Sequence, residues 1–190
     1  MSKIWLTSDL HFNHDREFVW GARGFCCVQD MNEAIIEHWN AIVAPEDDVY
    51  VLGDLCLGGA GMNDENQKLI ERLNGRIHII LGNHDTPARI KMYCFCKNVV
   101  EAPKYADMLS YKGYHFYMSH FPTMTANLDR ESLKQCTICL YGHTHQTDNF
   151  YQGIPFMYHV GQDSHNCTPV LLDDAIEEMK QEVQKCKEQL

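Results

Sequence analysis

An α/β fold, with two mixed sheets flanked by helices, is what this sequence predicts, and three observations lead there. Through the first half, short apolar runs alternate with amphipathic helical stretches, which implies crossover connections and a partly parallel sheet. The second half is richer in strands and carries a hairpin signal at Lys112-Gly113. At 190 residues, without repeats or a Ser/Gly linker, the chain fits one domain over 1–190 with a sizeable core.

Residues 3–7 read as an apolar strand, followed by a loop to about residue 29. Asp30 with Glu33 three positions on resembles a helix start. Ile35, Ile36, Trp39, Ile42 and Val43 then recur at helical spacing and define one buried face. Residues 48–53 form a second strand. A polar helix over 63–74 turns Leu69, Ile70 and Leu73 inward and stops at Gly75. Residues 76–81 make a third strand. Strands at 105–111 and 114–120 flank the hairpin turn, and others follow at 137–141, 154–160 and 168–172. From Asp173 onward the sequence is charged and periodic, so it predicts a C-terminal helix.

The composition, 45% hydrophobic and 22% charged, is ordinary for a soluble globular protein. No run approaches the roughly 18 apolar residues that a membrane helix needs, and no membrane partner is expected. The N-terminal segment reads as a strand rather than a signal peptide, so a cytoplasmic location is expected. Nine cysteines are then expected as reduced thiols. Cys136-x-x-Cys139 lies in a strand-like run where the two positions face opposite ways, which disfavours a thiol metal site. A net charge of −10 argues against long nucleic acid as a partner, but leaves room for a small phosphate-bearing substrate at a locally positive site.

Five apolar runs end abruptly in metal-ligand chemistry. The first leads into Asp9-Leu-His11, the second into Gly53-Asp54 and the third into Gly82-Asn83-His84-Asp85. The fourth leads into His120 and the fifth into Gly142-His143-Thr144-His145. Strand ends are where α/β sheets open binding crevices, and carboxylate, imidazole and amide suit Mn, Fe, Zn or Mg. Asp9 and His11 stand two apart, as do His143 and His145; on extended backbone each pair would share a face. The glycines before Asp54, Asn83 and His143 are expected to permit sharp turns.

This ordered series, from residue 9 to residue 145, resembles the calcineurin-like metallophosphoesterases. The resemblance implies a four-layer α/β/β/α sandwich and a site for two divalent ions bridged by Asp54. One ion would be held by Asp9, His11 and His145, the other by Asn83, His120 and His143. His84 would be no ligand; it would contact the substrate phosphate and assist the leaving group, with Asp85 orienting it. Manganese is the expected metal, with iron, zinc, nickel or magnesium as alternatives. Two such ions would activate a water near neutral pH and clamp attacking and leaving oxygens.

Serine/threonine protein phosphatases of this superfamily carry Gly-Asp-x-x-Asp-Arg-Gly and Gly-Asn-His-Glu. Here the first stretch reads Gly53-Asp54-Leu-Cys-Leu-Gly-Gly and the second ends in Asp85. The missing Arg argues against protein dephosphorylation and toward small bacterial or phage-like phosphodiesterases. The expected function is hydrolysis of a small phosphate ester, such as a nucleotide. Alternatives are a pyrophosphohydrolase for dinucleoside polyphosphates and a non-catalytic interaction scaffold, the latter disfavoured because every ligand position is filled. His14 and Arg23 are the candidate contacts to a substrate phosphate or leaving group. Phe121, directly after His120, is a candidate for lining the pocket, and residues 161–166 for its rim.

Overall fold

A computed structural model of the chain describes residues 2–125 and 132–188. Eight strands form two four-stranded mixed sheets. The first is ordered β3 (Arg76–Ile80), β2 (Asp48–Leu52), β1 (Ile4–Thr7) and β8 (Val170–Leu171). Its first three strands are parallel and β8 is antiparallel to β1. The second is ordered β4 (Ala106–Tyr111), β5 (Tyr114–Ser119), β6 (Thr137–Tyr141) and β7 (Met157–His159). Here β4 and β5 form the expected antiparallel hairpin, while β5, β6 and β7 run parallel. Lys112 and Gly113 both take positive φ, 48° and 79°, which suits a two-residue hairpin turn.

The side-chain period of two divides each strand of the first sheet between two cores. Trp5, Val49, Val51, Ile77 and Ile79 face one side, where Met31, Ile35 and Trp39 of helix α2 (Val28–Ile42) pack against them. Helices α3 (Asn63–Ile70) and α4 (Pro87–Tyr93) add Ile70, Met92 and Tyr93 to that cluster. Leu6, Leu52 and Ile80 face the other side and meet Phe116, Met118, Ile138, Leu140 and Tyr158 of the second sheet. Helix α5 (Leu172–Glu188) closes this inner core with Leu172, Ala175, Ile176 and Met179.

Some boundaries shift for identifiable reasons. The N-cap of α2 is Cys27 rather than Asp30; the Cys27 thiol accepts from the Asp30 amide, and Asp30 sits in the first turn, near the positive end of the helix dipole. A four-residue helix α1 (Glu17–Trp20) interrupts the expected loop. Strand β7 is shorter than expected, because a turn at Tyr151–Gly153 and Pro155, which has no amide proton, precede it. Tyr105, the first residue of the strand expected over 105–111, precedes β4 and is 80% exposed. Among the described residues, no disulfide joins any of the nine cysteines. Among the described residues, no helix is long and apolar enough to cross a membrane.

Candidate metal centre

The polar residues that follow β1, β2, β3, β5 and β6 meet at one end of the two sheets. Their convergence depends on unusual backbone. Asp9 and His11 both have φ of 56°, Asp54 52°, His143 68° and His145 48°. Each such left-handed residue costs on the order of 1 kcal/mol, and structure persists there only when its surroundings hold it. The holding bonds are visible: the Asp9 amide donates to Gly53 O at 3.0 Å and the His11 amide to Asp54 O at 3.1 Å. The segment is therefore not extended, contrary to the expectation; left-handed backbone, not strand alternation, brings Asp9 and His11 together.

The glycines also act differently from one another. Gly53 does take a positive φ, 94°. Gly82 and Gly142 do not; they permit close approach instead. A Cβ on Gly82 would lie 2.2 Å from Asp54 Oδ1, and one on Gly142 would lie 1.9 Å from Ser8 Oγ and 2.4 Å from Asp9 Oδ2. No side chain fits at either position.

Two clusters result. Asp9, His11 and His145 form one, with the two Nε2 atoms 3.1 Å apart. Asp54 and His120 lie beside it, His120 Nε2 standing 3.4 Å from Asp54 Oδ2. Asn83 Oδ1 completes the second cluster, 2.9 Å from both His120 Nε2 and His143 Nδ1.

Proton positions test whether this set fits a cation. His120 Nδ1 faces the Leu52 carbonyl at 2.8 Å and His145 Nδ1 faces the Asp163 carboxylate at 2.8 Å. Both partners can only accept, so each Nδ1 donates and each neutral ring turns its Nε2 lone pair into the site. These lone pairs meet the oxygen of Asn83, the oxygens of Asp54 and the buried, unpartnered Asp9 Oδ1. A meeting of acceptors that is buried at Asp9, Asp54 and His120 is costly unless something positive lies among them, and the residue types suit a divalent ion. Asp9, His11 and His145 would hold one ion, Asn83, His120 and His143 the other, with Asp54 between.

The electrostatics agree. Burial works to raise the pKa of Asp9, but the neighbouring His11, His120 and His145 outweigh it and hold the carboxyl well below its usual range. Asp54 is held low in the same way, chiefly by His120 against burial. Both carboxylates are anionic at neutral pH. Burial pushes the pKa of His11 down, and likewise that of His143, where the charge of His120 adds to it.

His84 is an exposed member of the group, as are Asn83, His143 and His145; its side chain is 46% accessible, with Nε2 4.0 Å from Asp54 Oδ2. It is positioned through its backbone: its amide donates to Asp54 Oδ1 at 2.9 Å, and the Arg89 guanidinium donates to its carbonyl. Asp85 does not orient the ring as expected. Its oxygens accept from the Gly82 amide at 2.7 Å, the Asp54 amide at 3.3 Å and the Tyr93 hydroxyl at 2.7 Å. Asp85 thus binds the two ligand loops to each other.

The two candidate substrate contacts separate. His14 lines a cavity of about 540 Å³ beside the centre, together with His11, His84 and His145. Arg23 turns inward, its side chain 2% exposed. It donates to Asp9 O at 2.7 Å, Leu10 O at 3.0 Å and both oxygens of Asp163, so it clamps the ligand loop. Phe121 is 48% exposed and packs edge-on against His143, ring centres 4.7 Å apart. Within 161–166, Asp163 is the residue that matters, joining Arg23 to His145. Sequence reasoning missed Arg89 and Tyr93, which lie on α4; Thr86 followed by Pro87, a cap and a first-turn proline, is the signal that would have found that helix.

Comparison with known proteins follows the same lines. A family model described as the calcineurin-like phosphoesterase superfamily domain matches residues 2–168. An uncharacterized protein of Methanocaldococcus jannaschii is 32% identical over 182 residues, covering 91% of this chain and 89% of its own length. The gene 66 protein of Mycobacterium phage D29 is 29% identical over 208 residues, covering 97% of this chain and 99% of its own. The crystal structure of a protein of unknown function from Aquifex aeolicus superposes with a TM-score of 0.68 at 19% identity, covering 94% of this chain and 100% of that one. That likeness is one of fold.

Proposed function

The chain belongs to the calcineurin-like phosphoesterase superfamily, and on that premise we propose that it is a metal-dependent phosphoesterase hydrolysing a small phosphate ester, with two divalent ions as cofactors. The observation that carries this reading is the acceptor-only convergence of Asp9, Asp54, Asn83, His120 and His145 beside an exposed His84. Divalent ions bound there would supply Lewis-acid stabilisation of the phosphoryl charge and an activated water.

The chain's own residues do the rest. Asp9 and Asp54, ionised and buried, fix the charge of the centre. His84 lines the cavity where the ester would lie and is the group to hold the phosphate and protonate the leaving oxygen. Arg89 and Asp54 hold the His84 backbone, so the ring needs little reorganisation to act.

The test is the separation of two variants, assayed on bis-p-nitrophenyl phosphate and p-nitrophenyl phosphate after reconstitution with manganese. Asp54→Ala should lose both metal and hydrolysis. His84→Ala should keep its metal and turn over about a hundredfold more slowly. A His84→Ala protein as fast as the parent removes the assigned role. A parent protein inactive on both esters turns the search from substrates to protein partners.

A further inference from the structure

Beside the candidate centre the cavity extends over a surface that the ions and His84 do not account for. Part of its lining is His11, His84, His145 and the Asp163 carboxylate that pairs with Arg23 and His145; the remainder is His14 with Phe18, Val19 and Ala22, from α1 and its flanking turns. At about 540 Å³ it falls within the usual range for small-ligand sites. Its second part is apolar and uncharged apart from the His14 ring.

Three features mark this wall. Phe18 is 74% exposed, yet it is not an isolated surface ring. It meets His14 edge-on at 5.7 Å; His14 in turn lies 5.1 Å from His11 and 6.4 Å from His84, centre to centre. A continuous run of rings therefore leads from the centre to Phe18. The run is also anchored: Val19 is buried in the core, and Arg23 ties the turn after α1 to the carbonyls of Asp9 and Leu10. The platform and the ligand loop are thus one rigid piece. Finally, His14 Nδ1 is buried, with no hydrogen-bond partner among the described residues, so it offers no hydrogen bond to a group lying on the wall.

We propose that His14, Phe18, Val19 and Ala22 form a stacking platform for an aromatic ring carried by the phosphate ester, either a nucleobase or a simple aryl group. The proposal rests on the phosphoesterase reading and narrows its substrate class. An aromatic face is what a run of rings attracts, through offset or edge-on packing. A second phosphate or a sugar would find few polar partners on this wall.

The experiment measures binding, by isothermal titration calorimetry, of methyl phosphate, phenyl phosphate and thymidine 5′-monophosphate to the manganese-loaded protein and to Phe18→Ala and Phe18→Trp. The parent should bind both aromatic phosphates about tenfold more tightly than methyl phosphate. Phe18→Ala should reduce that ratio to near one with methyl phosphate unchanged, and Phe18→Trp should keep it. An advantage of the nucleotide over phenyl phosphate assigns the platform to a nucleobase, and equality assigns it to an aryl group. The platform is overturned if methyl phosphate binds but the aromatic phosphates gain nothing, or if their advantage survives Phe18→Ala. If none of the three binds, the phosphoesterase reading itself fails and the platform falls with it.

Discussion

Asp163 accepts the Nδ1 proton of His145 and pairs with a buried Arg23, so one carboxylate sets both the tautomer of a ligand and the path of the Asp9 loop. Burial works to raise its pKa, but His145 and Arg23 outweigh that and hold it well below the usual carboxylate range. The hydrogen bond that His145 donates to Asp163 is likewise the main reason that the His145 pKa rises, against burial. Partners of this kind typically contribute about 10–100-fold to metal affinity. Asp163→Asn, nearly the same shape without the charge, should weaken manganese binding by that factor in a chelator competition, while circular dichroism stays unchanged. Affinity equal to the parent's would reduce Asp163 to a surface residue. The candidate site residues were legible in the sequence because each stands directly after an apolar run. Asp163 was legible only as part of a rim, since its importance comes from partners 18 and 140 positions away. Nor does any residue type announce the left-handed backbone of Asp9, His11 and Asp54.

Helix α4 shows what one short element contributes. It sends Arg89 to the carbonyls of His84 and Gly58, and Tyr93 to Asp85, so the loop that follows β3 is gripped from behind. Tyr93 is fully buried; without its hydroxyl, Asp85 Oδ1 would be left unpaired in a dry site. Tyr93→Phe should therefore cost about 1–3 kcal/mol in urea unfolding, and the loosened loop should slow diester hydrolysis more than it weakens binding. Unchanged stability would mean that water replaces the hydroxyl. The strands were legible because burial on both faces makes them short, nearly continuous apolar runs, and the hairpin because Lys112-Gly113 supplies its turn. At seven residues, α4 is too short for helical periodicity to emerge, and α1 shorter still. The Thr86 cap was the signal for α4, and caps also occur in plain turns; α1, preceded by Arg16, has no side-chain cap.

At the scale of the whole molecule, two cores share the first sheet, and the centre sits where the strand ends of both sheets meet. Protonation inside this interior opposes folding. His159 is fully buried with its Nε2 unpartnered, and burial holds its pKa at about 4, against 6.5 for a free imidazole. The unfolded chain therefore takes up this proton below about pH 6.5 and the folded chain only near pH 4. The folded-state pKa is the lower one, so stability is present above 6.5 and is lost as pH falls toward 4. The loss from this residue is at most about 3 kcal/mol. Unfolding free energy should decline across that window, and His159→Asn should flatten the decline; an unaltered slope would assign it to other groups.

The central claim, that the converging acceptors are a two-ion hydrolytic centre, is tested most directly by titrating manganese into metal-stripped protein while following bis-p-nitrophenyl phosphate hydrolysis. Activity should begin near zero and reach its plateau at about two equivalents per chain. A stripped protein that stays inactive with manganese, magnesium, zinc and nickel alike, or one that is fully active without metal, would contradict the account.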